Sequence, residues 1–292
     1  MTQRALILLA TAAMLAWTSQ VEATPFFFST GDVDGRLATA SRPSSQGKIE
    51  IESADDFVVA GGTLTATSAT FQGLIPSGVP LSSIGAVKVE IYRVFPQDSD
   101  VGRTSGLPTF STSQVPTRVN SPSDVAFESR ETGAGLTFTP GILQASFTAA
   151  NSVQAGGISL MTTGQGSVTG QRVQFNVLFT TPFSLPADHY FFVPQVELTG
   201  TAGDFLWLSS IRPIVPPGTL LAPDLQSWIR DEGLDPDWLR IGTDVIGGTT
   251  FNAAFTLSGD LEPVPEPATL ILLGTAMAAT GLVGRRSRRG QR

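Results

Sequence analysis

The chain contains no cysteine, one histidine and two lysines among its 292 residues. Without cysteine there is no disulfide, no thiolate nucleophile and no cysteine-based zinc site. One histidine, His189, cannot build a histidine zinc centre. It also has no Gly-x-Ser-x-Gly elbow to serve, because that pattern does not occur. No glycine-rich phosphate loop or dinucleotide fingerprint is present; Gly164-Gln165-Gly166 lacks the continuation. Basic charge is scarce where it matters. Between residues 24 and 262, 12 Lys and Arg face 23 Asp and Glu, a net of −11. Such a surface repels a phosphate backbone, which argues against nucleic acid as a partner.

What is abundant is glycine (30), proline (20), phenylalanine (18), threonine and serine. Threonine, phenylalanine and valine suit a pleated, half-buried surface, and glycine and proline punctuate turns. Alternation is clearest over residues 171–180. There Val173, Phe175, Val177 and Phe179 share a face. Residues 49–52, 53–59, 63–72, 86–95, 125–130, 141–149, 189–198, 204–209 and 249–258 read as further strands. In the 86–95 strand, Val87, Val89 and Ile91 oppose Lys88, Glu90 and Tyr92. Gly61-Gly62 reads as a turn, and residues 181–186 as a bend leading to a hairpin or a sheet-switching corner. Residues 31–35 read as a tight polar turn and 36–47 as irregular. Residues 96–124 are a long Pro/Ser/Asp loop, a length that is uncommon unless functional or disordered. Residues 225–240 fit a short helix or a strand equally well. The expected fold is all-β, a β-sandwich of jelly-roll type.

Two terminal segments stand outside that body. Residues 1–23 read as a signal peptide: Arg4, an apolar stretch at 5–17, and small residues before a cleavage site after Ala23. At the other end, Val264, Pro265, Glu266 and Pro267 lead into an apolar segment, 268–284. Arg285, Arg286, Arg288 and Arg289 follow it. Seventeen residues are the lower limit for a membrane span, and the arginines stay cytoplasmic by the positive-inside rule. The expected organisation is therefore a signal peptide at 1–23, an extracytoplasmic body at 24–262 and a tail at 263–292 with a transmembrane helix.

This tail resembles a PEP-CTERM sorting signal. The resemblance implies recognition of the Pro-Glu-Pro region by an exosortase, a membrane-embedded processing enzyme. It also implies transient retention in the inner membrane of a Gram-negative bacterium, followed by delivery to the cell surface or beyond, alongside extracellular polysaccharide. The body, with Ser53-Ala54-Asp55-Asp56-Phe57 and Ile91-Tyr92-Arg93-Val94-Phe95-Pro96, is similar to other exported proteins of this class, a likeness that assigns no activity.

The body offers few sites. Ca²⁺ is the candidate cofactor, because loop carboxylates suit a hard cation; Asp55 and Asp56 with Asp98 and Asp100 are the expected ligands. Turn chemistry accounts for the same acids otherwise. Trp228 and Trp238 lie in a polar segment and are the candidate stacking surface for a sugar. The leading expectation is a non-catalytic module that binds polysaccharide or protein. The alternative is a glycan-active hydrolase or lyase using paired carboxylates.

Overall fold

The computed structural model describes residues 22–263 except 46, 104–110, 201–202, 212–223 and 249. The expected signal helix, the 268–284 span, the Val264–Pro267 motif and the arginine cluster lie outside the described residues. Thr24–Leu261 forms one compact unit. Among the described residues no helix is long and apolar enough to cross a membrane.

Twelve strands carry the described chain: β1 (Thr24–Ser29), β2 (Val33–Ala40), β3 (Ile51–Pro76), β4 (Ile84–Arg93), β5 (Glu128–Thr132), β6 (Gly135–Ala149), β7 (Asn151–Val153), β8 (Val168–Leu198), β9 (Leu206–Ser210), β10 (Trp228–Asp231), β11 (Leu239–Arg240) and β12 (Phe255–Glu262). The body is all-β, as composition and alternation predict. Residues 225–240, open between helix and strand, contribute β10 and β11 around a turn. Val33–Ala40, mostly within a stretch read as irregular, is a strand held by β7 and β9.

Two strands organise the rest. β3 and β8, 26 and 31 residues long, pair antiparallel over nearly their whole length. The ladder slips twice, between Val59 and Thr63 and between Ala66 and Ser68. Extra residues of this kind bend a strand and carry it from one layer to another. The first slip contains Gly62 at φ 71°, a left-handed conformation that glycine adopts without a Cβ clash. The second is opposed by the Thr181-Pro182 bend. The two halves of each long strand therefore face each other across a phenylalanine core. Phe71 stacks on its ladder partner Phe175 at 4.8 Å and reaches Phe192, in the other half of β8, at 6.4 Å. Phe192 stacks in turn on Phe255 at 4.9 Å.

The halves differ in cover. Along 171–185 buried and less buried residues alternate, so one face meets solvent. Along 51–57 and 190–196 every residue is buried, so both faces are covered. The cover on the second face comes from residues 111–124 and 225–240. Trp238 Nε1 donates to the Ser123 carbonyl (3.1 Å), and Ser123 N donates to the Arg93 carbonyl (2.9 Å). Buried Arg118 pairs with Asp124 and donates to the Asp100 carbonyl (3.0 Å). The described part of the long 96–124 loop is thus tied down as a layer over the sheet.

Candidate functional site

Beneath that cover lies a polar cluster built by alternation. Successive strand residues point to opposite faces. Val87, Val89 and Ile91 of β4 enter the phenylalanine core, so Lys88, Glu90 and Tyr92 take the other face. Register sets Gln195 of β8 opposite Lys88, and Arg230 of β10 opposite Glu52 of β3. Glu50, just before β3, completes the group.

The contacts are dense. Tyr92 Oη donates to Glu52 Oε1 at 2.7 Å, and Arg230 pairs with Glu52 through Nε and donates to Tyr92 Oη at 2.9 Å. Lys88 Nζ reaches Glu90 at 3.0 Å and Glu50 at 3.2 Å. Gln195 Nε2 donates to Glu50 at 3.0 Å and, more weakly, to Glu90 at 3.4 Å. The amide oxygen of Gln195 is buried without a hydrogen-bond partner. Such an orphan acceptor costs on the order of 1–3 kcal/mol.

The electrostatics follow from burial. Desolvation, and then the adjacent Glu52 charge, push the Glu90 carboxyl up to about 8. Glu90 is therefore mostly protonated at neutral pH. Burial works against the Lys88 ammonium, but Glu90 and Glu50 outweigh it and hold the amine above its ordinary value.

The acids expected to bind Ca²⁺ do not gather. Asp55 and Asp56 are neighbours in β3, so their carboxylates diverge. Asp55 accepts from Ser227 Oγ (2.8 Å) and Ala253 N (2.9 Å). Asp56 accepts from Leu225 N (3.1 Å) and pairs with His189 Nε2 at 2.6 Å. Burial, then the Asp56 charge, holds the Asp55 carboxyl well above the ordinary carboxylate value. Asp98 lies 3.8 Å from Arg93, and Asp100 Oδ1 accepts from Gly102 N within its own loop. Among the described residues the acids that converge are Glu50, Glu52 and Glu90 instead.

The tryptophans need the same correction. Trp228 and Trp238 are each 1% exposed, so neither presents a face to a sugar. Trp238 packs edge-on against Tyr92 at 5.4 Å, and the Arg230 guanidinium covers its ring at 4.3 Å. The polar surroundings of Trp238 in sequence are the turn and the arginine that close the cover layer, not an open platform. The sequence signal for the real cluster was the Lys88/Glu90/Tyr92 face of β4 and the Glu50/Glu52 alternation, both of which look like an ordinary solvent face.

Residues 263–289 match the family described as the PEP-CTERM protein-sorting motif. The chain carries a PEP-CTERM sorting motif. The match begins one residue before Val264 and takes in Pro265-Glu266-Pro267, the apolar segment and Arg285 to Arg289. A PEP-CTERM tail implies export, membrane-anchored transit and processing by an exosortase-type enzyme. No curated protein matches the chain.

Proposed function

We propose that this PEP-CTERM protein is a non-catalytic component of the cell exterior. The signal peptide exports it, the tail holds it in the inner membrane until an exosortase-type enzyme removes it, and the β body then binds extracellular polysaccharide or a neighbouring matrix protein. The observation that carries this reading is the sorting motif at 263–289.

The body supports binding over hydrolysis. Glycosidases hold their two carboxyls about 5–9.5 Å apart, flanking an accessible sugar. Here Glu52 and Glu90 bring carboxylate oxygens within 4.8 Å of each other and are buried beneath the cover layer. A better surface for a polymer is the uncovered sheet face. Register aligns Thr70, Asn176 and Thr139 across β3, β8 and β6. Thr256 of β12 extends the row through a 2.7 Å contact with Thr70. Gln174 lies beside Asn176 and donates to it at 2.8 Å. The row is rich in hydroxyl and amide groups, with the Arg172–Asp32 ion pair and exposed Leu178 beside it, which suits hydroxyl-bearing chains.

Co-sedimentation of the purified protein with polysaccharide from the producing cells tests this. Retention should fall at least tenfold in Gln174→Ala/Asn176→Ala with the fold intact, and no reducing ends should appear. Equal retention of the double variant, or release of oligosaccharides, would overturn the reading.

A further inference from the structure

Lys88 and Gln195 stand directly opposite each other where β4 pairs with β8. Residues paired in this way have Cα atoms about 4.5–5.5 Å apart and side chains on the same face. Here the two side-chain nitrogens converge. Glu50 Oε1 accepts from Lys88 Nζ at 3.2 Å and from Gln195 Nε2 at 3.0 Å. Glu90 meets the same two nitrogens, at 3.0 Å from Nζ and 3.4 Å from Nε2. A primary amine and a primary amide are thus held together by two carboxyl groups.

This pair differs from an ordinary buried ion pair. Gln195 is fully buried and its amide oxygen has no partner, so hydrogen bonding alone does not account for an amide at this position. Lys88 is one of two lysines in the chain, whose buried cations elsewhere are Arg42, Arg118 and Arg230. Arginine would supply the charge, but a guanidinium keeps its protons, whereas an amine can lose one and attack carbon. Glu90, mostly protonated at neutral pH, is an acid beside the amide nitrogen that would leave. Glu50, a third exposed, opens the group towards solvent and gives a departing molecule a way out.

We propose that Lys88 and Gln195 join in an isopeptide cross-link between β4 and β8, formed by the folded chain itself. Glu50 takes a proton from the Lys88 ammonium. The freed Nζ lone pair attacks Gln195 Cδ, and the carbonyl π pair moves to Oε1. Glu90 protonates Nε2, the Cδ–Nε2 bond breaks as the Oε1 pair restores the carbonyl, and ammonia leaves. The second proton of Nζ passes to Glu90, and the ammonia carries off the proton on Glu50 as ammonium. One C–N bond forms and one breaks, both carboxyls end as they began, and no oxidant or cofactor takes part. The amine starts out charged, so attack is slow. It is needed only once per chain, and burial shields Gln195 from competing hydrolysis. The link would tie two strands in a chain without disulfides. It does not depend on the polysaccharide reading.

The test is intact mass and peptide mapping of the full-length protein purified in detergent. The expected result is a chain lighter than its sequence by one ammonia, with a branched peptide that joins the Lys88 segment to the Gln195 segment. Lys88→Arg keeps the ion pairs and should restore the full sequence mass. Glu90→Gln removes the acid and should slow linking in freshly made protein by at least about tenfold. The map of the parent decides the matter whether or not a variant folds. Four results would overturn the proposal: full sequence mass with the two peptides unjoined; an ammonia loss that maps to another residue; a loss that persists in Lys88→Arg; or linking at the parent rate in Glu90→Gln.

Discussion

Trp238 shows how single side chains hold the cover layer to the sheet. Its ring fills the space between Tyr92 and the Arg230 guanidinium, and its indole N–H bonds the Ser123 carbonyl. Trp238→Ala removes a buried aromatic and leaves Arg230 beside a cavity, so it should cost about 3–5 kcal/mol by denaturant unfolding. Glu90 makes the second residue-scale prediction. Burial and the adjacent Glu52 charge push its carboxyl up to about 8, well above the ordinary carboxylate value. The folded state thus binds the proton more tightly, and stability contributed by the protonated form is lost as pH rises between the two values. Lys88 and Tyr92 from its own strand, Glu50 and Glu52 from the β3 side and Gln195 from β8 surround it. Stability should fall with pH between about 5 and 8, at up to about 1.4 kcal/mol per unit from this group. Glu90→Gln should flatten that slope in urea melts; an unchanged slope would count against the shift. Asp55, also raised, adds a fall of the same sign that the variant leaves in place. The residue types of this site were legible in the sequence, but their burial was not. Lys88, Glu90 and Tyr92 alternate with core valines as solvent residues do, and only long-range packing of residues 111–124 and 225–240 covers them.

At the scale of elements, the long strands decide the architecture. Alternation made both halves of β8 and the 63–72 half of β3 legible. Their continuity was hidden because Gly61-Gly62 has the composition of a turn, whereas the backbone uses Gly62 to form a bulge and carry the strand on. Glycine positions now separate by role. A Cβ on Gly73 would lie 2.2 Å from the Phe205 ring and 2.5 Å from the Leu206 carbonyl. Gly73→Ala should therefore overpack the core and cost about 1–3 kcal/mol. A Cβ on Gly61 meets nothing within 4 Å, so Gly61→Ala should stay within about 0.5 kcal/mol of the parent. Thermal melts of the pair check this. Equal melting points would mean that β9 does not approach β3 as closely as Phe205 and Leu206 indicate.

For the whole molecule, the ends of the body matter most. β1 pairs with β12 in register, Thr24 opposite Leu261, and β12 also pairs with β3. The first residue after the expected signal cleavage and the last residues before the sorting motif are thus held in one ladder. Removing residues 263–292 takes away none of that ladder's pairings, so the trimmed body should melt within about 2 °C of the full chain, a shift that corresponds to about 0.5–1 kcal/mol. The tail itself was the most legible part of the sequence, because its three parts are contiguous and need no tertiary contact to be recognised. The most direct measurement of the central claim is the intact mass and cell fraction of the protein with Pro265-Glu266-Pro267 replaced by alanines. The parent should appear outside the inner membrane without its arginine tail, and the variant should stay in the membrane fraction with the tail still attached. Identical masses and identical delivery for the two would contradict the account.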